Sequence, residues 1–377
     1  MSNAIAFVPE AGSALRGRRV LVTGHTGFKG SWLCLWLHAL GAEVYGIALA
    51  PPPGRSLFRT AKVDQVVDGR IADIRDPAAL ATAAHGIDAE IVFHLAAEAI
   101  VLRSQRDPAT TFATNVSGTA HVLDLARTMP SLRAIIVVTS DKCYRNDEGL
   151  WPFRETDRLG GHDPYSASKA CTELVVEAYR ATFFARPGGA KLATVRAGNV
   201  IGGGDEAEDR LVPDIARAAR GGAAMAIRNP GSIRPWQHVL EPLRGYLMVA
   251  DRLLGDEPDG FAGAWNFGPD VGQAVDVGTV AAAMMARLDS RCPVHIAPRG
   301  AASGTEARTL RLDSSKAAAL LGWRPQLSFD EMMALTGDWY AADIDGGVDM
   351  AAFTDRQLST YRARCAPVAI EELRICG

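Results

Sequence analysis

The sequence predicts an α/β protein: a Rossmann-type, doubly wound parallel sheet with a smaller, mostly C-terminal α/β domain for substrate. Near the N-terminus, a glycine-rich turn separates a short apolar strand from a helix. Apolar runs at 91–97 and 134–138 lack polar alternation, which is typical of parallel strands buried on both faces. We expect residues 1–200 to form a dinucleotide-binding domain to which elements near 236–268 return. Residues 201–377 should supply mainly the substrate domain and a C-terminal helical tail.

Composition excludes several classes of protein. The chain has 377 residues, which suits two domains, and its formal charge of −3 argues against a nucleic-acid or membrane-surface partner. The 6 cysteines include no C-x-x-C pair and the histidines are scattered, so we expect no metal site. No secretion signal or long uncharged apolar segment is evident. These features predict a soluble, reduced, cytoplasmic protein.

The glycine turn indicates a dinucleotide site. Gly24, Gly27 and Gly30 follow the strand at 18–23 in the spacing G-x-x-G-x-x-G, and the following helix has one apolar stripe. Glycines let the backbone approach a pyrophosphate, and the N-terminus of a helix offers free N–H groups and a positive dipole end. The position between a strand and a helix makes this signal stronger than a glycine triplet alone.

The choice between NAD and NADP stays open from these residues. The second strand closes on Leu49 and prolines, where a ribose-binding carboxylate is usual, and Arg55 downstream either accommodates a 2′-phosphate or is a solvated loop residue. Asp73 follows the third strand and is placed to meet an adenine ring. The alternative role there is a helix cap for the segment that starts at Pro77.

Reactive side chains are concentrated where the strand at 134–138 ends. The residues there are Ser140, Asp141 and Lys142. In open parallel sheets ligands bind at the carboxyl ends of strands. Tyr165 and Lys169 are four apart and share one face of a helix, and a nearby ammonium favours phenolate, so we expect Lys169 to lower the pKa of Tyr165. This set of groups suits redox and proton-transfer chemistry together.

Several stretches resemble the extended short-chain dehydrogenase/reductase family and, within it, the CDP-glucose 4,6-dehydratases. The matching positions are Gly24, Gly27, Gly30, Asp73, Leu95-Ala96-Ala97, Asn115, Ser140 and Tyr165-x-x-x-Lys169. Longer similar runs lie at 22–32, 139–144, 196–205, 227–230 and 234–242. The resemblance covers nearly the whole chain.

The resemblance implies NAD as the cofactor, a nucleotide-sugar substrate and a homodimer or larger homo-oligomer. The implied cofactor-binding residues are Gly24, Thr26, Gly27, Phe28, Lys29, Gly30, Asp73, Ile74, Leu95, Ala96, Ala97, Asn115, Tyr165 and Lys169. The candidates for substrate binding are Asn199, Arg210, Arg228, Arg234 and Arg308. A planar guanidinium holds phosphate oxygens in pairs, and Arg234 matches the family best.

The reaction implied by the resemblance is a 4,6-dehydration. Tyr165 would remove the C4 hydroxyl proton during C4 oxidation by NAD, with Ser140 bonded to the same oxygen and Lys169 supporting the phenolate. Asp141 would act as the acid for the C6 hydroxyl and Lys142, as a neutral amine, as the base for C5–H, before hydride returns to C6. The dTDP-glucose relatives carry Glu where this chain has Lys142, so the lysine indicates the CDP branch.

Three positions depart from the family pattern, and other functions stay open. Glu98 replaces a common Gln, Arg145 an Asp, and Glu206 a Trp. One alternative is dehydration of a dTDP-, UDP- or GDP-hexose. A nucleotide-sugar 4-epimerase would use the same Ser, Tyr and Lys without an elimination pair. A non-catalytic NAD(P)-binding sensor is the most distant alternative.

Overall fold

The computed structural model describes residues 10–221, 225–227, 229–288, 294–296 and 307–366. Its strands are β1 (Arg19–Thr23), β2 (Glu43–Ala48), β3 (Asp68–Ile71), β4 (Ile91–His94), β5 (Ala134–Val138), β6 (Lys191–Ala197), β7 (Val200–Ile201), β8 (Met225–Ile227), β9 (Ile233–Arg234), β10 (Gln237–His238), β11 (Ala264–Phe267), β12 (Val275–Asp276) and β13 (Val294–Ile296).

The helices flank this framework. They are α1 (Phe28–Ala39), α2 (Leu57–Thr60), α3 (Pro77–Ala83), α4 (Val101–Arg106), α5 (Pro108–Phe112), α6 (Gly118–Ala126), α7 (Pro164–Phe183), α8 (Leu211–Gly221), α9 (Leu240–Leu253), α10 (Val277–Arg287), α11 (Ser315–Leu321), α12 (Phe329–Asp345) and α13 (Met350–Cys365). A π-helical turn, Ala113–Ser117, joins α5 to α6.

Seven strands form one parallel sheet in the order β11-β6-β5-β4-β1-β2-β3. The order reverses between β1 and β4, so the chain winds outward in both directions from the centre. This confirms the predicted Rossmann-type fold class. The late strand β11 pairs with β6 at one edge, with Trp265 opposite Val195. A crevice opens beyond the carboxyl ends of the strands at such a switch point.

Burial explains the central strands. Every residue of β4, β5 and β6 is buried, as expected for strands covered by helices on both faces. On one face α1 buries Trp32 and Trp36, which are 0% and 1% exposed. β3 extends to Ile71, so Asp73 follows the third strand, as expected from the sequence.

The second part of the chain forms pairs of very short strands and a set of helices. β7 pairs with β10, β8 with β13, and β9 with β12. The C-terminal segment packs on α9 through the buried Glu241, whose oxygens accept hydrogen bonds from Gln326 N, Leu327 N and the Tyr361 hydroxyl, each over 2.8 Å. The helices α12 and α13 lie in this segment, as far as residue 366.

Two features of the described ranges concern membranes and metal ions. None of the helices described there is long and apolar enough to cross a membrane. Those ranges also bring together no group of three or more His, Cys, Asp or Glu side chains that could hold a metal ion.

Candidate active site

One large cleft lies beyond the carboxyl ends of β1, β4, β5 and β6. All five predicted catalytic residues line it: Ser140, Asp141, Lys142, Tyr165 and Lys169. The glycine turn and the loop that follows β6 line it as well. Asp163 caps the N-terminus of α7 by accepting a hydrogen bond from Ser166 N over 2.9 Å, which fixes where the helix begins. The fold therefore brings the two reactive stretches of the sequence to one place.

The glycine turn leaves its backbone open to a dinucleotide, because it has no room for side chains at Gly24 and Gly30. Gly24 has φ +79°, and a Cβ there would lie 2.7 Å from Ala96 N. A Cβ on Gly30 would lie 2.1 Å from the Gly24 carbonyl oxygen. Thr26 donates its hydroxyl hydrogen to Leu49 O over 2.9 Å and so ties the turn to the end of β2. This open backbone, at the N-terminus of α1, is the cradle that a pyrophosphate requires.

The remaining predicted cofactor residues divide into two groups. Phe28, Lys29, Leu95 and Ala97 line the cleft, while Asp73, Ile74, Ala96 and Asn115 do not. Ile74 is a buried core residue. Asn115 supports the cleft from behind, because it accepts from Glu98 N over 2.8 Å and donates to the Ser168 hydroxyl over 2.8 Å.

Asp73 is held by its own neighbour. Its carboxylate pairs with Arg75 over 2.5 Å, and this hydrogen-bonded pairing lowers the pKa of Asp73. The helix-cap role belongs to Asp76 instead, which accepts from Ala78 N and Ala79 N at the start of α3. The helix-cap role weighed for this stretch therefore falls on Asp76, and the contact of Asp73 with an adenine ring stays a prediction.

Lys29 brings a cation to the cleft from the first turn of α1. Its ammonium donates to the Tyr246 hydroxyl over 3.4 Å and lies 5.7 Å from the centre of that ring. Burial, followed by the positive charges of Arg210 and Lys169, lowers the pKa of Lys29 to about 7. Three basic side chains from separate elements therefore face the same space, which favours an anionic ligand.

Asp141 is the most unusual carboxyl group in the cleft. It is 2% exposed, and its Oδ1 accepts the Ser140 hydroxyl over 3.0 Å. Its Oδ2 is buried and has no hydrogen-bond partner among the described residues. Burial raises the pKa of Asp141 to about 6, against the opposing effects of Lys142, Ser140 and Arg234. A carboxyl group with this pKa exists partly in its protonated form near neutral pH, as the predicted acid requires.

The predicted pKa shift of Tyr165 has the wrong sign. Burial raises the pKa of Tyr165 to about 12, whereas the hydrogen bond with Ser140 and the charge of Arg210 act to lower it. Lys169 donates to the Val138 carbonyl over 3.2 Å, and burial lowers its own pKa to about 8. The i, i+4 lysine was expected to lower the pKa of Tyr165, but desolvation of the buried phenol is the larger effect and acts in the opposite direction.

The candidate substrate residues are not equivalent. Asn199, Arg210 and Arg234 line the cleft. Arg210 pairs with Asp205 over 2.8 Å, and Arg234 donates to the carbonyls of Ile233 and Arg308. The Arg308 side chain is exposed and lies outside the cleft, so its predicted role as a ligand is not supported. Arg228 lies outside the described residues.

Each departure from the family pattern has a partner within the chain. Glu98 Oε1 accepts from Ile100 N over 3.0 Å, Arg145 pairs with Asp147 over 2.8 Å, and Glu206 pairs with Arg220 over 2.8 Å. Arg55, considered for a 2′-phosphate, pairs with Asp343. These pairings leave none of the three departures as an uncompensated charge.

Asp205 and Glu173 were not predicted from the sequence as functional residues, but both contact residues of the site. Asp205 accepts a hydrogen bond from Arg210. The two residues are only five positions apart in the loop before α8, so this pairing could have been suspected from the sequence. Glu173 follows Lys169 by one helical turn, so both lie on one face of α7. That spacing was visible in the sequence, but its buried partner on β6 was not.

Comparisons with known proteins agree with this geometry. Residues 21–336 match the family model described as GDP-mannose 4,6 dehydratase. The CDP-glucose 4,6-dehydratase of Salmonella typhimurium is 45% identical over 92% of this chain and 96% of its own length.

Solved structures of a nucleotide-sugar dehydratase and of a nucleotide-sugar epimerase have a similar fold. The dTDP-glucose 4,6-dehydratase DesIV of Streptomyces venezuelae, with NAD and TYD bound, has a TM-score of 0.72 at 27% identity, covering 85% of this chain and 96% of its own. Thermus thermophilus UDP-glucose 4-epimerase in complex with NAD has a TM-score of 0.72 at 26% identity, covering 88% and 100%. The chain belongs to the GDP-mannose 4,6 dehydratase family, a group of extended short-chain dehydrogenase/reductases.

Proposed function

We propose that this protein is a CDP-glucose 4,6-dehydratase, which converts CDP-glucose to CDP-4-keto-6-deoxy-glucose with loss of water. The observation that carries the proposal is the buried Asp141, with one free carboxyl oxygen, beside Lys142 at the end of β5. The Salmonella relative named for this activity supports it. An epimerase needs Ser140 and Tyr165 but has no elimination step for such an acid to serve.

NAD is the proposed cofactor. The turn from Gly24 to Gly30 and the N-terminus of α1 would hold its pyrophosphate. The pairing of Arg55 with Asp343 favours NAD over NADP, since it occupies the arginine considered for a 2′-phosphate. When bound, NAD accepts hydride from C4 of the sugar and later returns it to C6.

Ser140, Tyr165 and Lys169 serve the oxidation at C4. Tyr165 removes the proton of the C4 hydroxyl, and Ser140 hydrogen-bonds the same oxygen. Because burial raises the pKa of Tyr165 to about 12, the phenolate needs positive charge nearby. Arg210 provides part of it, and the positive charge of oxidised nicotinamide would act in the same direction. Lys169 holds the cofactor ribose.

Asp141 and Lys142 serve the elimination. Once C4 is a ketone, the C5 proton is acidic and Lys142 is the proposed base that removes it. Asp141 gives its proton to the C6 hydroxyl, which leaves as water, and Lys142 returns its proton to C5 when hydride is delivered to C6. The raised pKa of Asp141, caused by burial, suits a group that must begin the step protonated.

The wider organisation follows from this proposal. Residues 1–200 would bind the cofactor, with elements near 236–268, and residues 201–377 would bind mainly the nucleotide sugar. Arg210 and Arg234 are the cations proposed for the diphosphate. We also propose a cytoplasmic homodimer formed through α7, where Leu174 is 60% exposed. A monomeric mass by light scattering would rule out that dimer.

A panel of substrates tests the function. The protein is incubated with CDP-, dTDP-, UDP- and GDP-glucose and with GDP-mannose, and each product is examined by mass spectrometry for loss of water. Loss of water from CDP-glucose at the highest kcat/KM supports the proposal. Preference for another nucleotide would assign a different donor, and a 4-epimer of unchanged mass would replace dehydration by epimerisation. No conversion, with NAD bound, would indicate a sensor.

A further inference from the structure

The catalytic turn, defined as Ser140 to Cys143, is fixed at both ends by one buried ion pair. The pair consists of Glu173 on α7 and Arg196 on β6, whose side chains are each 4% exposed and 2.7 Å apart. Neither side chain lines the cleft. A buried pair of this kind is weak evidence for stability in itself, so its place in the fold matters more than its presence.

The first end of the turn is fixed through Thr139, the residue before Ser140. Its hydroxyl donates to Glu173 Oε1 over 2.5 Å, while its backbone N–H donates to Val195 O over 3.0 Å. The other Glu173 oxygen accepts from the Thr194 hydroxyl over 2.8 Å. Arg196 donates one further hydrogen bond to each Glu173 oxygen, so each oxygen accepts two. These four bonds fix the orientation of the Glu173 side chain.

The second end is fixed through Tyr144, the residue after Cys143. Arg196 Nη1 donates to the Tyr144 hydroxyl over 2.7 Å, and that hydroxyl donates to Asn266 Oδ1 over 2.7 Å. The ring also stacks on Phe153, with centroids 4.9 Å apart. The ion pair therefore joins three elements, α7, β6 and β11, to the residues that bracket the turn.

We propose that Glu173 and Arg196 are positioning residues that hold the catalytic turn at a fixed distance from Tyr165 and Lys169. Glu173 follows Lys169 by one turn of the same helix, so a single side chain links the redox residues of α7 to the acid and base of the turn. This inference rests on the proposed function for its catalytic consequence. The geometric part, a turn fixed by the ion pair, is independent of the substrate.

The decisive variant is Tyr144→Phe, because it removes one hydroxyl and keeps the buried ring. Glu173→Gln leaves Arg196 as a buried charge and risks loss of folding. The matched control is Tyr361→Phe. Tyr144 and Tyr361 are each 2% exposed, and the Tyr361 hydroxyl also belongs to a charged network, donating to Glu241 Oε2 over 2.8 Å, away from the cleft.

The first measurement does not depend on activity. Cys143 is fully buried inside the turn, so its thiol reports whether the turn has moved. Native protein is alkylated with iodoacetamide, and labelling of Cys143 is followed by peptide mass spectrometry, with the fully buried Cys34 as internal reference. Tyr144→Phe should label Cys143 at least about fivefold faster, with Cys34 unchanged, because a buried thiol reacts only when its cover opens. Tyr361→Phe should leave both rates as in the wild type. Equal Cys143 labelling in all three proteins would overturn the proposal.

The second measurement separates positioning from general stability. Tyr144→Phe should lower kcat about tenfold with KM for the nucleotide sugar nearly unchanged, since misplaced catalytic groups weaken the transition state rather than ground-state binding. Tyr361→Phe should retain the wild-type kcat at a comparable loss of melting temperature. Equal kcat in the two variants would contradict the catalytic part of the proposal. An inactive wild type would contradict the proposed function and leave the thiol result to decide the geometry.

Discussion

The Ser140 hydroxyl donates to Asp141 Oδ1 over 3.0 Å and leaves the second oxygen of that carboxylate buried without a partner among the described residues. A half-satisfied buried carboxylate costs stability when it is ionised. The same arrangement offers an oxygen that can carry a proton toward the cleft. Function and stability therefore oppose each other at this residue.

Asp141→Asn should stabilise the protein at neutral pH while abolishing dehydration. Burial raises the pKa of Asp141 from 3.8 to about 6, so between these values the folded state keeps a proton that the unfolded state has released. Stability therefore falls as pH rises through this window, by up to about 3 kcal/mol at pH 7.5. Urea unfolding should show the variant to be more stable at pH 7.5, with the gain vanishing near pH 4.

Asp251→Asn is the matched control for this stability effect. Burial also raises the pKa of Asp251 to about 6, but its two oxygens accept from Gly12 N and Ala14 N over 2.6 and 3.0 Å. An amide would lose one of these acceptors, so no net gain is expected. A pH-independent gain in Asp141→Asn would show that its carboxyl group is not the origin.

Lys142→Met should retain NAD binding and lose most of the dehydration. The substitution removes the proposed base for C5–H and keeps a side chain of similar length, and general base catalysis contributes about 10²–10⁴-fold. Because oxidation at C4 precedes the elimination, the variant should accumulate reduced cofactor when CDP-glucose is added. NADH absorbance and product mass measure the two steps separately. Wild-type turnover would remove Lys142 from the mechanism.

Gly30→Ala should weaken cofactor binding more than tenfold. Its Cβ would lie 2.1 Å from the Gly24 carbonyl oxygen, so the turn must open and its N–H groups lose their common direction. The matched control is Gly149→Ala, since a Cβ on this exposed loop residue would meet nothing within 4 Å. Titration of intrinsic fluorescence with NAD measures both. Equal affinity in the two variants would place the pyrophosphate elsewhere.

The sequence predicted those parts of the site that depend on local order. The spacing of Gly24, Gly27 and Gly30 predicts the glycine turn, and an apolar run predicts the strand that ends before Ser140. The parallel sheet then brings both stretches to the same edge. The raised pKa of Tyr165 was not predictable, because desolvation depends on tertiary packing. The Glu173–Arg196 pair was missed for a similar reason, since its partners lie on different elements. The exposed position of the Arg308 side chain was not predictable, because a cation in a loop gives no direction for its side chain.

Arg234→Lys should raise KM for the nucleotide sugar about tenfold and change kcat by less than about threefold. The lysine keeps the positive charge but lacks the planar guanidinium that binds phosphate oxygens in pairs. Arg234 lines the cleft and is 4% exposed, with its Nη1 held by the carbonyls of Ile233 and Arg308. Arg308→Lys is the matched control, since that side chain is exposed outside the cleft and the substitution keeps the backbone carbonyl that accepts from Arg234. Steady-state kinetics on CDP-glucose decide the matter: a rise in KM confined to Arg234→Lys supports diphosphate binding there, whereas equal KM values for the two variants would exclude it.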